Sequence, residues 1–404
     1  MADEQPVVRE APLRPGGEQS RIALVLATSA GGVGRHVHAV ASGLAQAGCR
    51  VAVFGPAATD RTFGFSAQPG VAFRAVEIAS GWRPLEDLRA AWRLHRLVRD
   101  AHVVHAHGLR AAGVAALALC RWPGGLFPCL VRGGRSGGAR RGPSRRPGFV
   151  VTLHNAMLGR TFRRRLLGFV MRRLAQTTDL TLVVSADLAT GLGSHVRRIE
   201  RALVASALPP SSQDGAAVRA GLGLPAGAPV VLAVGRLHLQ KGFDVLVEAA
   251  AIVATRVPGV VVLIAGEGPQ RAALTQQIAA SGADVRLLGH RADVSELVHA
   301  ADVVVMASRW EGWPLAAAEV LGAGRPLVAT KTGGLPELVG DAAVLVETGD
   351  AGALGTAISN VLTDGRLARD LAERAGRRAR QLPTADDVTA QLLSCYQQVS
   401  SGRG

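Results

Sequence analysis

Cysteine is scarce in this 404-residue sequence: Cys49, Cys120, Cys129 and Cys395, with no Cys-x-x-Cys pair. That scarcity excludes a disulfide framework and a zinc ribbon, and it points to a reducing cytoplasm. Aromatic residues are few, with one Tyr and nine Phe, so the stacking platforms of a single-strand nucleic-acid binder are missing. No run of 18 apolar residues occurs, and a transmembrane span is not expected. Lysine occurs only at Lys241 and Lys331. The most telling absence is local. Between Asp100 and Asp179 there is no carboxylate, yet there are 14 arginines.

What is present is a chain 48% hydrophobic, enough for two packed cores, and its length predicts two domains. Residues 1–208 hold 29 Arg against 12 acidic residues, a net of +17, while residues 209–404 are nearly balanced at −2. A field of that kind attracts an anionic partner: nucleic acid, a membrane surface or an acidic substrate.

The polar, proline-containing residues 1–20 read as a disordered leader and not a signal peptide. Residues 21–208 then alternate short apolar runs with helical patterns. The strands are expected at 21–29, 50–56, 103–108, 149–155 and 180–185, and helices among others at 35–47, 84–98 and 186–193. Such runs suit parallel strands buried on both faces, in a doubly wound α/β domain. Residues 121–148 break the rhythm and read as a basic surface loop. After a linker at 208–217 the pattern restarts, with runs such as "PVVLAVGRL", "VVVLIAGEG", "DVVVMAS" and "PLVAT". Residues 209–404 thus form a second Rossmann-like domain, whose last helix is expected to return to the first. In such sheets ligands bind beyond the carboxyl ends of the strands.

The residues just past the strands carry the chemistry. "SAGGVGRHV" (29–37) has Gly31, Gly32 and Gly34 at a strand–helix turn, where a backbone approaches a phosphate closely, but it lacks the dinucleotide spacing. His105, His107 and His154 sit at two strand ends without a carboxylate nearby, so a metal is not expected. His105 reads as a packed, satisfied residue and His154 as the functional one. Arg236 and Lys241 flank a helix start, as two cations for a diphosphate. In "SRWEGWPLAAAEVLGAG" (308–324), Glu311 precedes a helix that Pro314 opens, and Glu319 lies about one and a half turns inside it. They do not share a face as an i,i+4 pair does. Between them the N–H groups near Leu315 and Ala316 suit a phosphate, and the two carboxylates suit hydroxyls on either side. A nucleotide sugar has that order of groups.

"VGRLHLQKG", "AGEGP", "LGHRADVSELVHAADVVVMAS", "EGWPLAAAE" and "PLVATKTGGLPELVGD" together resemble glycosyltransferase family 4, the bacterial glycosyl transferases group 1. The resemblance implies the GT-B fold, with two doubly wound Rossmann-like domains facing across a cleft. It implies a retaining hexosyltransferase that uses a nucleotide diphosphate sugar, UDP-linked in preference to GDP-linked, by a front-face mechanism. No metal or resident cofactor is implied. In that reading His154, Arg236, Lys241 and Glu311 are catalytic. Gly31, Gly32, Gly266, Arg291, Gly312, Pro314, Leu315, Ala316, Glu319 and Gly334, with Arg236, Lys241 and Glu311, bind the donor. The acceptor stays open among a lipid, a polyol phosphate and a polysaccharide. "VASALPP" (204–210) departs from the family's usual Asn-Gly at this junction. Two other readings are a sugar-nucleotide epimerase of the same fold and a basic nucleic-acid-binding protein. "GRTFRRRLLGFVMRRLAQ" (159–176) reads as an amphipathic basic helix, and peripheral contact with anionic membrane is expected through residues 121–176, at the inner face.

Overall fold

The computed structural model describes residues 19–29, 31–120, 146–154, 177–192, 196, 198–206, 208 and 211–401. Nearly all of the leader, most of the 121–148 stretch and all of the basic segment 159–176 lie outside the described residues. The chain divides into two compact units. The first takes the described residues of Met1–Val183, Leu192–Glu200 and Thr389–Gly404, and the second takes those of Val184–Gly191 and Arg201–Val388.

The first unit is built on β1 (Arg21–Leu26), β2 (Arg50–Gly55), β3 (Val71–Ala75), β4 (Val103–His107), β5 (Gly148–Leu153), β6 (Leu180–Val183) and β7 (Ile199–Arg201). They lie in the order β3-β2-β1-β4-β5-β6-β7. Pairings from β3 to β6 are parallel. Every residue of β4, β5 and β6 is buried, which is why they read as continuous apolar runs. The sequence reading lacks β3 and β7. Both are edge strands, half covered, so their residues carry no continuous apolar run to read. The order reverses between β1 and β4, which makes a switch point there. The helix Gly32–Gln46 packs on the sheet through His36, Val37, Val40, Ala41 and Leu44, the helical one-face spacing.

From Thr389 on, the C-terminal helix Ala385–Ser401 belongs to this first unit. Tyr396, the chain's sole tyrosine, sits 2.6 Å from His105 Nδ1, and Thr152 Oγ1 lies 2.7 Å from the other ring nitrogen. His105 is fully buried, and these two partners satisfy it as a core residue, as the sequence reading holds.

The second unit contains β8 (Val230–Val234), β9 (Val261–Ala265), β10 (Val285–Gly289), β11 (Val303–Met306), β12 (Leu327–Thr330) and β13 (Val344–Val346). They form an all-parallel sheet in the order β10-β9-β8-β11-β12-β13. Alternate strand residues feed two cores, one on each face. Val231, Ala233, Val262, Ile264, Val303 and Val305 enter one, and Val230, Leu232, Val261, Leu263, Val304 and Met306 enter the other. Here the order reverses between β8 and β11.

Candidate functional site

The second unit's switch point gathers several of the predicted donor residues. The turn after β8 carries Arg236 and leads through a short 3-10 turn, Leu239–Lys241, into the helix Phe243–Arg256. The turn after β11 carries Glu311 and leads into the helix Leu315–Gly322. Lys241 Nζ and Glu311 Oε1 lie 2.5 Å apart, and the Ser308 hydroxyl donates to the same oxygen at 2.6 Å. Glu311 is almost fully buried, and Lys241 and Ser308 partner its carboxylate there. Arg236 is exposed and makes no ion pair among the described residues, so its guanidinium faces solvent.

Backbone pressed on backbone fixes the turns. Gly242 has φ +63, and a Cβ there would lie 2.0 Å from the Ala307 carbonyl oxygen. At Gly333 (φ +52) and Gly334 a Cβ would lie 1.7 Å from the Glu311 carbonyl and 1.9 Å from that of Gly312. Only glycine fits those positions. Gly266 belongs to the same class, since its Cβ would strike the Gly235 carbonyl at 1.8 Å. Outside this frame, Arg309 grips Asp244 with both terminal nitrogens at 2.8 and 2.6 Å, and that hydrogen bonding holds the Asp244 carboxyl below its usual range. Trp310 Nε1 donates to Asp187 at 3.0 Å, and Gln240 donates to the Trp310 carbonyl at 2.9 Å.

Pro314 is the N-cap of the helix Leu315–Gly322, one position earlier than its expected place in the first turn, and no side chain caps that end. Its first N–H groups are those of Leu315 and Ala316. Glu319, five residues into the helix and buried, accepts a hydrogen bond from Ser206 at 2.8 Å. Glu319 also lines a crevice beside β8 and β11 with Val234, Met306, Ala316 and Val320. Arg291 pairs with Asp293 at 2.8 Å through Nε. Thus Lys241, Glu311, Gly312 and Gly334 come together, with the helix start at Pro314–Ala316 following directly and Glu319 further along it.

Two buried polar atoms that the sequence reading passes over adjoin this loop. Trp313 Nε1 and Ser185 Oγ have no hydrogen-bond partner among the described residues. Ser185 Cβ is 3.2 Å from where a Gly334 Cβ would stand. Buried polar groups without partners are uncommon. Ser185 closes an ordinary strand and Trp313 is one aromatic in a loop, so neither carries a sequence signal.

At the switch point of the first unit, His36, His107 and His154 converge. Their ligand-type nitrogens all lie within 4.8 Å of one another. His36 is the member the sequence reading does not name, because it lies within the first turn or so of an amphipathic helix pattern and reads as part of it. His107 Nδ1 and His154 Nε2 are 3.2 Å apart and share a hydrogen bond. Which of the two nitrogens donates depends on the tautomers. Burial drives all three imidazoles toward the neutral form: His36 falls to about 4, and His107 and His154 fall well below their usual value, reinforced by their neighbours' charges. Gly31 is exposed with open space about it, whereas at Gly34 a Cβ would lie 2.2 Å from the Phe63 ring, which would have to move aside. Gly32 opens the helix that carries His36.

Comparison with known proteins gives a consistent answer. The model of the family described as Glycosyltransferase Family 4 matches residues 30–204, and that of Glycosyl transferases group 1 matches residues 228–364. The lipopolysaccharide core biosynthesis glycosyltransferase LpsE of Rhizobium meliloti is 35% identical over 186 residues, which are 44% of this chain and 53% of that protein. The chain therefore spans about half the length of that curated relative, and 54% of the D-inositol 3-phosphate glycosyltransferase of Corynebacterium urealyticum. A D-inositol 3-phosphate glycosyltransferase of Xylanimonas cellulosilytica is 29% identical over 93% of each chain. Among solved structures, Anabaena Alr3699/HepE in complex with UDP and glucose superposes with a TM-score of 0.77 at 21% identity, covering 94% of this chain and 100% of that one. WaaG, a glycosyltransferase involved in lipopolysaccharide biosynthesis, gives 0.70 at 16%, covering 93% and 99%. At these identities the likeness shows the fold, which is GT-B.

Proposed function

Because this chain belongs to glycosyltransferase family 4, we propose that it moves a hexosyl group from a nucleotide diphosphate sugar to an acceptor hydroxyl, with retention and without metal. A UDP-sugar is favoured over a GDP-sugar as donor. The observation that carries the reading is the meeting of Lys241 and Glu311 at the β8/β11 switch point, beside a helix N-terminus that no side chain caps. The helix start binds the diphosphate through the N–H groups of Leu315 and Ala316, and Arg236 and Lys241 neutralise the charge that builds as it leaves. Glu311 accepts from donor-sugar hydroxyls, Gly312 and Gly334 let the sugar approach backbone, and Glu319 accepts from the ribose. Gly266 and Arg291 flank the base. In the first unit, Gly31 and Gly32 are assigned to donor binding and His154 to catalysis.

The C1–oxygen bond to the diphosphate breaks as the acceptor oxygen bonds C1 on the same face. The acceptor proton passes to the departing phosphate oxygen. Catalysis then rests on positioning and leaving-group stabilisation, with no carboxylate nucleophile. The acceptor is a lipid, a polyol phosphate or a polysaccharide, and work at the inner membrane face rests on the basic charge of residues 121–176. No helix among the described residues is long and apolar enough to cross a membrane.

The test is nucleotide release from UDP- and GDP-sugars with chelator present, followed by the anomeric configuration of the product. Retained configuration and full rate under chelation support the reading. An inverted product or loss of rate on chelation opposes it, and an epimerised nucleotide sugar formed without acceptor assigns the epimerase chemistry instead.

A further inference from the structure

Four of the five large hydrophobic side chains exposed among the described residues lie together. They are Trp82 at 57%, Leu85 at 73%, Trp92 at 51% and Leu97 at 41% exposure. All belong to the helix Pro84–Leu97 of the first unit or the residue pair before it. At 100° per residue, Leu85, Arg89, Trp92 and Arg96 fall within one narrow stripe, while Asp87, Ala90, Ala91 and Leu94 face the core. The helix therefore satisfies its core with one face and keeps a second, apolar and basic face in solvent.

The charges on that face are mostly basic. Arg89, Arg93, Arg96 and Arg99 are exposed and make no ion pair among the described residues. Of the acids nearby, Arg83 holds Glu86 at 3.1 Å, Arg110 holds the buried Asp87 at 2.6 Å, and exposed Asp100 follows Arg99, with Arg21 donating to its backbone carbonyl. Arg96 lies over the Trp92 ring at 4.9 Å from its centroid, and Arg110 over Trp82 at 5.0 Å. Each guanidinium thus covers a ring and leaves its edge outward.

We propose that this face is a peripheral docking surface for an anionic lipid bilayer. Indole rings and a leucine enter the headgroup layer, and the arginines pair with lipid phosphates beside them. The basic excess is the argument for lipid over a protein surface, together with the net of +17 over residues 1–208. Tryptophan and arginine also occur in protein interfaces, so the choice of lipid rests on the excess of arginine over acid, which suits a polyanionic headgroup layer. The stripe is separate from residues 121–176 and does not depend on the donor chemistry.

The experiment uses the full chain with vesicles of phosphatidylcholine, with and without about a third phosphatidylglycerol. The chain should float with the anionic vesicles only, and flotation should weaken as salt rises from about 0.1 to 0.5 M. Replacing Arg89, Arg93 and Arg96 by Gln should weaken partitioning about 100-fold, since each basic residue contributes about fivefold. The variant Trp82→Ser, Leu85→Ser, Trp92→Ser should lose at least about tenfold, and it should also lose quenching by lipids with brominated acyl chains. Both variants change exposed side chains, and their nucleotide-induced thermal shifts, matched to wild type, report an intact donor unit. Wild-type partitioning by the Trp/Leu variant overturns the proposal. So does concentration-dependent self-association without lipid that the same substitutions abolish, or binding to nucleic acid but not to vesicles.

Discussion

Lys241 and Glu311 stand 70 residues apart in sequence and 2.5 Å apart in space, across the point where the second sheet reverses its strand order. The pair is only partly screened, because Glu311 is buried and Lys241 is about a fifth exposed.

Lys241→Met leaves Glu311 as an uncompensated carboxylate. The expected cost is about 1–3 kcal/mol of stability, below that of a fully buried pair because the lysine is partly solvated. Turnover should fall about 100-fold or more as leaving-group stabilisation is lost. Lys241→Met with Glu311→Gln should recover stability and not turnover. Chemical denaturation and steady-state rates on the three variants check this.

Glycines at the turns divide into two classes. Gly334→Ala and Gly333→Ala each drive a methyl into a backbone carbonyl at less than 2 Å, so each should raise donor KM at least about tenfold and lower Tm. Gly31→Ala meets nothing within 4 Å at φ −149. It should leave stability within about 0.5 kcal/mol of wild type, and any loss of rate then reports ligand approach and not folding.

Acid should unfold the chain through its histidines. His36 is held to about 4 and His105 to about 3, so between about pH 6.5 and those values the unfolded chain binds more protons than the folded one. Stability is therefore present above about pH 6.5 and declines as pH falls, by up to about 1.4 kcal/mol per pH unit for each histidine. His36→Gln should flatten the decline. Denaturation midpoints from pH 7 to 4 measure it.

Ser206→Ala removes one hydrogen bond from buried Glu319 and should cost about 1 kcal/mol. Nucleotide affinity should rise or stay unchanged if the ribose takes over that carboxylate. A tenfold loss would mean that Ser206 orients Glu319 for the ligand. Calorimetric titration with UDP separates these.

The centre of each sheet was legible because strands buried on both faces are written as unbroken valine and leucine runs. The edge strands β3 and β7 were not, since half of each faces solvent and their residues resemble loop. In the site, Glu311, Glu319, Arg236 and Lys241 stood out by type and spacing. The Lys241–Glu311 contact itself did not, because only the sheet's strand order brings the two turns side by side. His36 was hidden for a similar reason: a histidine inside an amphipathic helix has no signature until β4 and β5 place His107 and His154 against it. Ser185 and Trp313 became visible only through their unpartnered buried atoms.

The central claim is that the β8/β11 switch point binds a nucleotide diphosphate through Glu319 and the helix start before it. Thermal unfolding with UDP, GDP and ADP, on wild type and Glu319→Ala, tests it most directly. At about 100 times its dissociation constant one nucleotide should add about 2.7 kcal/mol of stability to wild type, and Glu319→Ala should lose that gain. No stabilisation of wild type by any of the three, or equal stabilisation of the variant, would contradict the account.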